Sequence, residues 1–140
     1  MPMTAVHAMS VTFPESLLPD VPVEAELSFD TSLPYAACLS FAVADCGCLD
    51  GGARVCWYFS RELLNEGRHA PAGHGDVRVR PGTCGDLLIA LKAPTGHAVL
   101  STSTASVAAF LADSFALVPA GSESDHLDVD TALARILAGG

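Results

Sequence analysis

The chain has 140 residues, half of them apolar, and seven Lys or Arg against sixteen Asp or Glu give it a formal charge of −9. That length supports one domain, residues 1–140, around a single core; no run approaches the ~20 consecutive apolar residues of a membrane span, and the N-terminus lacks the basic and apolar regions of a secretory signal. The composition therefore excludes membrane insertion, points to the cytoplasm, and sets an acidic body against polyanionic partners such as nucleic acid.

Met9, Val11 and Phe13 alternate with Ser10 and Thr12, the period of a strand with one buried face. Val23, Ala25, Leu27 and Phe29 alternate more cleanly with Glu24, Glu26, Ser28 and Asp30, and Ala37, Leu39, Phe41 and Val43 predict a third strand. In Val55–Phe59 the alternation turns Trp57 and Phe59 toward the core and leaves Tyr58 outside. Ser60 then predicts an N-cap, Glu62 suits the positive end of a helix, Leu63 and Leu64 give it an apolar face, and Gly67 offers a left-handed ending. Pro71, Gly73 and Gly75 turn the chain into a strand over Asp76–Arg80. Asp86–Lys92 is apolar enough to be covered on both faces, and Pro94-Thr95-Gly96 makes His97–Ser101 its hairpin partner.

The period changes from Ser103 to Phe115, where Val107, Phe110 and Leu111 recur at helical spacing behind Ser103 or Thr104 as cap, and Val118-Pro119-Ala120-Gly121 ends the segment. Asp128 or Asp130 can cap a last helix carrying Leu133, Ile136 and Leu137. Strands followed by helices predict an α+β domain of antiparallel sheets with helices toward the C-terminus.

No catalytic constellation emerges. The five His residues are scattered, without helical partners or neighbouring Cys at ligand spacing. Gly73-His74-Gly75-Asp76 resembles a phosphate loop only superficially, since no Lys-Ser/Thr follows and a strand comes next. Five cysteines are an odd count, and Cys46-Gly47-Cys48 falls short of the usual zinc spacing, so free thiols without metal or cofactor are expected. A zinc or redox module built on Cys46, Cys48, Cys56 and Cys84 needs the fold to bring them together. Trp57, Tyr58 and Phe59 beside Arg54 and Arg61 could stack on bases, but alternation gives the first and last of these rings to the core.

The segment Trp57-Tyr58-Phe59-Ser60-Arg61-Glu62-Leu63-Leu64, then Gly67, then Pro71-Ala72-Gly73-His74-Gly75-Asp76-Val77-Arg78-Val79, resembles the signature of the SsgA-like proteins, the sporulation and cell-division family of actinomycetes. Leu27-Ser28-Phe29-Asp30, Pro34-Tyr35-Ala36, Pro94-Thr95-Gly96-His97-Ala98, Phe110-Leu111, Val118-Pro119-Ala120-Gly121 and Leu127-Asp128-Val129-Asp130 with Leu133 fit in order. Ser60 and Glu62 stand where the family usually has Ala and Asp, and the Asp45–Gly52 connection is unusual, as in a divergent member. The resemblance implies a Whirly-like fold assembled as a homotrimer. It also implies a non-enzymatic adaptor that helps place the FtsZ division ring or directs septal peptidoglycan and spore-wall maturation. The implied partners are division or septum proteins, other SsgA-like proteins and FtsZ-associated factors among them, with recruitment to septa. A single-stranded nucleic-acid binder on a Whirly-like fold is the alternative.

Charge adds a location. Residues 1–53 hold seven acids and no Lys or Arg, and residues 113–130 hold five acids and none, whereas 54–80 hold five Arg against three acids. Arg78 and Arg80, two apart on a strand, share a face. With Arg61 they form the candidate protein-contact surface.

Overall fold

A computed structural model describes residues 3–17, 20–43, 53–94 and 96–123. The expected C-terminal helix with Asp128, Asp130 and Leu133, and the Cys46/Cys48 pair, lie outside the described residues.

The predicted elements form in the predicted order. Strands β1 (Thr4–Val11), β2 (Val23–Asp30), β3 (Ala36–Val43) and β4 (Ala53–Ser60) make an antiparallel meander of four neighbours in sequence order. Alternation decides its faces: Met9, Val11, Ala25, Leu27, Phe29, Ala37, Leu39, Phe41 and Phe59 are buried on one side. Trp57 packs on that side but is only half-buried, and Tyr58 stands 61% exposed on the other. Asp30 closes the β2–β3 turn by accepting from the backbone N–H and the hydroxyl of Ser32, both at 2.8 Å.

Helix α1 (Arg61–Gly67) follows β4 directly, and Ser60 caps it by accepting from Leu63 N–H at 3.3 Å. Gly67 does not supply a left-handed ending as expected. Arg68 caps the helix in ordinary right-handed geometry (φ −70°), and Gly67 is there because a Cβ would sit 2.3 Å from Val79 Cγ1. The missing side chain lets α1 lie flat on the next strand.

Strands β5 (Val77–Pro81), β6 (Asp86–Ala93) and β7 (Gly96–Ser103) form a second antiparallel sheet. Cys84 (φ 56°) and Gly85 (φ 82°) occupy the middle of the β5–β6 hairpin, with Asp86 N–H donating to Thr83 O at 3.2 Å, the pattern of a type I′ turn. On β6 only Leu87, Ile89 and Leu91 are buried. Leu88 and Ala90 are half-buried, so β6 is covered fully on one face rather than on both.

Helix α2 (Thr104–Leu117) is capped by Ser103 and packs Val107, Phe110 and Leu111 against β1, β2 and β7. Among the described residues the two sheets are bridged where Thr12 and Ser101 exchange backbone hydrogen bonds of 2.9 and 2.8 Å. The inner faces of both sheets and one face of each helix close into one core.

Candidate contact surface

The signature segment is β4, α1, the Pro71–Gly75 turn and β5. At Gly73 (φ +103°) a Cβ would lie 2.6 Å from Val77 O, so this glycine serves tight turning, as the sequence suggests. The turn returns the backbone to β5, where Ala72 and Val79 exchange hydrogen bonds of 2.8 and 3.0 Å.

Arg61 is not on the surface. It is 1% exposed, and its expected place in a contact face is corrected by the geometry. Phe59 points inward, Ser60 outward, and Arg61 inward again as the strand becomes a helix. Its guanidinium lies between the rings of Phe29 (4.8 Å to the centroid) and Phe115 (4.2 Å). Nη1 donates to Ser114 O at 2.9 Å, and Nη2 donates to Glu123 Oε2 at 3.2 Å. Glu123 in turn accepts from Gly121 N–H at 2.7 Å. The Glu123 carboxyl is held below its usual range by a hydrogen bond from its own backbone N–H, with Arg61 and Gly121 adding to the effect and desolvation opposing it. Helix α2 has no basic residue in its last turn, so Arg61 supplies the cation at that negative end. One side chain thereby ties β2, α1, α2 and the segment after α2 together.

Arg78 and Arg80 do point outward, on the face of the second sheet away from the core. Register places Arg78 beside Ala90 and Val99, and Arg80 beside Leu88 and Ser101. Lys92, beside His97, shares that face and was not legible as a member, because it lies outside the basic run that ends at Arg80. Asp76 and Asp86 sit at opposite ends of the face. Among the described residues Arg78, Arg80 and Lys92 make no ion pair. A groove of about 450 Å³ opens beside Arg80, lined by Leu88, Val99 and Ser101 together with Pro14, Glu15 and Asp86. The outer face of the first sheet has the opposite character, with Glu24 and Glu26 exposed on β2.

The remaining chemistry-bearing residues do not converge. His7 Nε2 lies 2.5 Å from Asp113 Oδ2, with the imidazole edge-on to Phe110. His69 and His74 line a separate groove beside Glu62 and Glu66. Among the described residues no three His, Cys, Asp or Glu are grouped so as to hold a metal ion, and no helix is long and apolar enough to cross a membrane. Cys38, Cys56 and Cys84 are free thiols; burial pushes the Cys38 thiol up, which disfavours the reactive thiolate.

The profile of a family described as "Streptomyces sporulation and cell division protein, SsgA" matches residues 23–123. This chain belongs to the SsgA family. The matched span contains Arg61 and all its partners, together with the whole Arg78/Arg80 face. Among relatives, the sporulation-specific cell division protein SsgB of Salinispora tropica is 42% identical over 85% of this chain and 82% of its own length. The SsgB of Streptomyces coelicolor is 40% identical over 95% of this chain and 93% of its own. Two solved structures superpose closely. One is an SsgB, described with mutations that correlate to longitudinal cell division during sporulation of Streptomyces coelicolor (TM-score 0.79, 35% identity, 91% of this chain and 98% of that one). The other is an SsgA-like sporulation-specific cell division protein from Thermobifida fusca (TM-score 0.74, 35% identity, 96% and 95%). These SsgA-family relatives come from sporulating actinomycetes, and the α+β architecture of antiparallel sheets and a following helix is the one they share.

Proposed function

We propose that the chain is a non-enzymatic adaptor in sporulation-specific cell division, acting by docking rather than turnover. It helps control septum placement through FtsZ-ring recruitment, or septal peptidoglycan and spore-wall maturation. The observation that carries this reading is the Arg78/Arg80 face: outward-pointing cations without ion-pair partners among the described residues, inside the span that matches a family of division proteins. Its partners are division or septum proteins, met in the cytoplasm and at septa. The Whirly-like sheet-and-helix arrangement assembles as a homotrimer, which covers sheet edges that a single copy leaves open.

The test is genetic. A host strain lacking this chain is complemented with the wild type and with Arg78→Glu/Arg80→Glu, and septum position and spore walls are scored. The wild type restores regular septa and the double variant does not, although its melting temperature is unchanged. Normal septation by the double variant would remove the contact face from the proposal. Sedimentation of the purified chain at micromolar concentration should give three copies per particle, and a monomer would refute the trimer.

A further inference from the structure

We infer that the outer face of the β5–β6–β7 sheet receives an acidic segment of a partner protein, with its carboxylates on Arg78 and Arg80 and an apolar side chain on Leu88 and Val99. This rests on the adaptor reading and names the chemistry of the partner at that same face.

Four observations converge on this occupant. First, the two arginines occupy adjacent rows that contain no acid: Arg78–Ala90–Val99 and Arg80–Leu88–Ser101. Among the described residues Asp86 and Glu15 line the groove together with Arg80, Asp76 stands two positions before Arg78, and none is ion-paired with either guanidinium. A guanidinium without a partner gains more from an incoming carboxylate than one that must first give up its own.

Second, the rows beside the arginines are apolar. Leu88, Ala90 and Val99 are half-buried on the outward face, and Leu88 and Val99 open into the groove of about 450 Å³. A ligand bearing charge alone would leave this strip wet, whereas a segment with an apolar residue among its acids covers it.

Third, each edge of the sheet is already occupied at one point beside the arginines, which interrupts strand addition there. On β5, Ala72 occupies the backbone groups of Val79, and Pro81 offers no N–H. On β7, Thr12 occupies Ser101. Recognition therefore falls to the side chains of the face.

Fourth, the favourable potential is short. The formal charge of the chain is −9, and Asp76 and Asp86 bound the face at either end. A peptide with a few carboxylates meets the arginines within one screening length of about 8 Å, whereas a nucleic acid extends its charge into the acidic remainder.

The experiment is fluorescence anisotropy on the purified full chain at about 0.15 M salt. The probes are a labelled short peptide alternating Glu with Leu, its Lys-for-Glu and Ser-for-Leu counterparts, and a labelled single-stranded DNA oligonucleotide. The Glu–Leu peptide binds, and the three other probes bind markedly more weakly. Arg78→Glu/Arg80→Glu weakens the peptide about tenfold or more, on the scale of one lost close charge pair. Arg78→Gln/Arg80→Gln, gentler on the fold, gives a smaller loss in the same direction, and Leu88→Ser weakens the Glu–Leu peptide without creating affinity for its Ser counterpart. Absence of peptide binding, binding that survives charge reversal, or DNA binding as tight as the peptide's overturns the inference. The two readings fail separately. A double variant that cannot septate, in a protein indifferent to the acidic peptide, leaves the adaptor face standing and removes the acidic occupant; a double variant that septates normally removes the face itself.

Discussion

Arg61 shows how far a residue's role depends on partners that are distant in the chain. Its acceptors lie 53 and 62 positions away, so a cation at the start of a helix reads as solvated until the fold brings Ser114 and Glu123 to it. Arg61→Ala should destabilise the protein by on the order of 3 kcal/mol or more, the scale for emptying a filled interior site, measured by urea unfolding. Arg61→Lys should recover little of this, because a compact ammonium lacks the extended guanidinium fork that faces both rings while its two Nη atoms donate to separate acceptors. The Glu123 end of the pair makes an acid-limb prediction. A carboxyl that titrates lower when folded than when unfolded contributes stability that is complete above the ordinary glutamate range. That stability is lost as the pH falls through the folded value. Glu123→Gln should be less stable than wild type at neutral pH and should show a flatter loss below about pH 4.5, followed by thermal melts across the acid range.

Elements were the most legible scale, and for a physical reason. Leu87, Ile89 and Leu91 recur at period two because one side of the strand is buried, and Val107, Phe110 and Leu111 recur at helical spacing for the same cause. Spacing does not record why a particular glycine is needed. Gly67 looked like a terminator and is instead the point where α1 touches β5, so Gly67→Ala should cost about 1–3 kcal/mol in a denaturant melt through overpacking against Val79. The place of the β5–β6 turn follows from strands predicted to end at Arg80 and resume at Asp86, but its type was not legible, since Cys84 carries none of the composition that announces a left-handed residue. Its φ of 56° is one that Asn tolerates better, and Cys84→Asn should raise stability by about 0.5–1 kcal/mol, seen as a higher melting temperature.

At the scale of the whole molecule, the fold distributes charge unevenly between its two outer sheet faces, acidic at Glu24 and Glu26 and basic at Arg78, Arg80 and Lys92. The basic run was legible as far as Arg80. The contribution of Lys92 was not, because membership of a face is set by cross-strand register rather than by proximity in sequence. Phosphate binding needs several neutralised contacts at once, and a body of charge −9 opposes them. Titration with single-stranded DNA at about 0.15 M salt should therefore show no sub-micromolar affinity. Binding at that strength, weakened by Arg78→Glu/Arg80→Glu, would favour the nucleic-acid alternative.

The tie made by Arg61 also orders the birth of the protein. The first sheet is a meander of sequential neighbours, so each of its strands finds its partner soon after synthesis. Arg61 emerges at the end of that sheet, yet its carboxylate arrives only after α2 and the turn that follows have been made. Until then a cation destined for the interior has no counter-charge, and the two phenylalanines that will hold it are separated by most of the chain. A ribosome stalled short of Glu123 would therefore display a paired first sheet whose Arg61 still lacks its counter-charge, so this tie forms late in the making of the described fold.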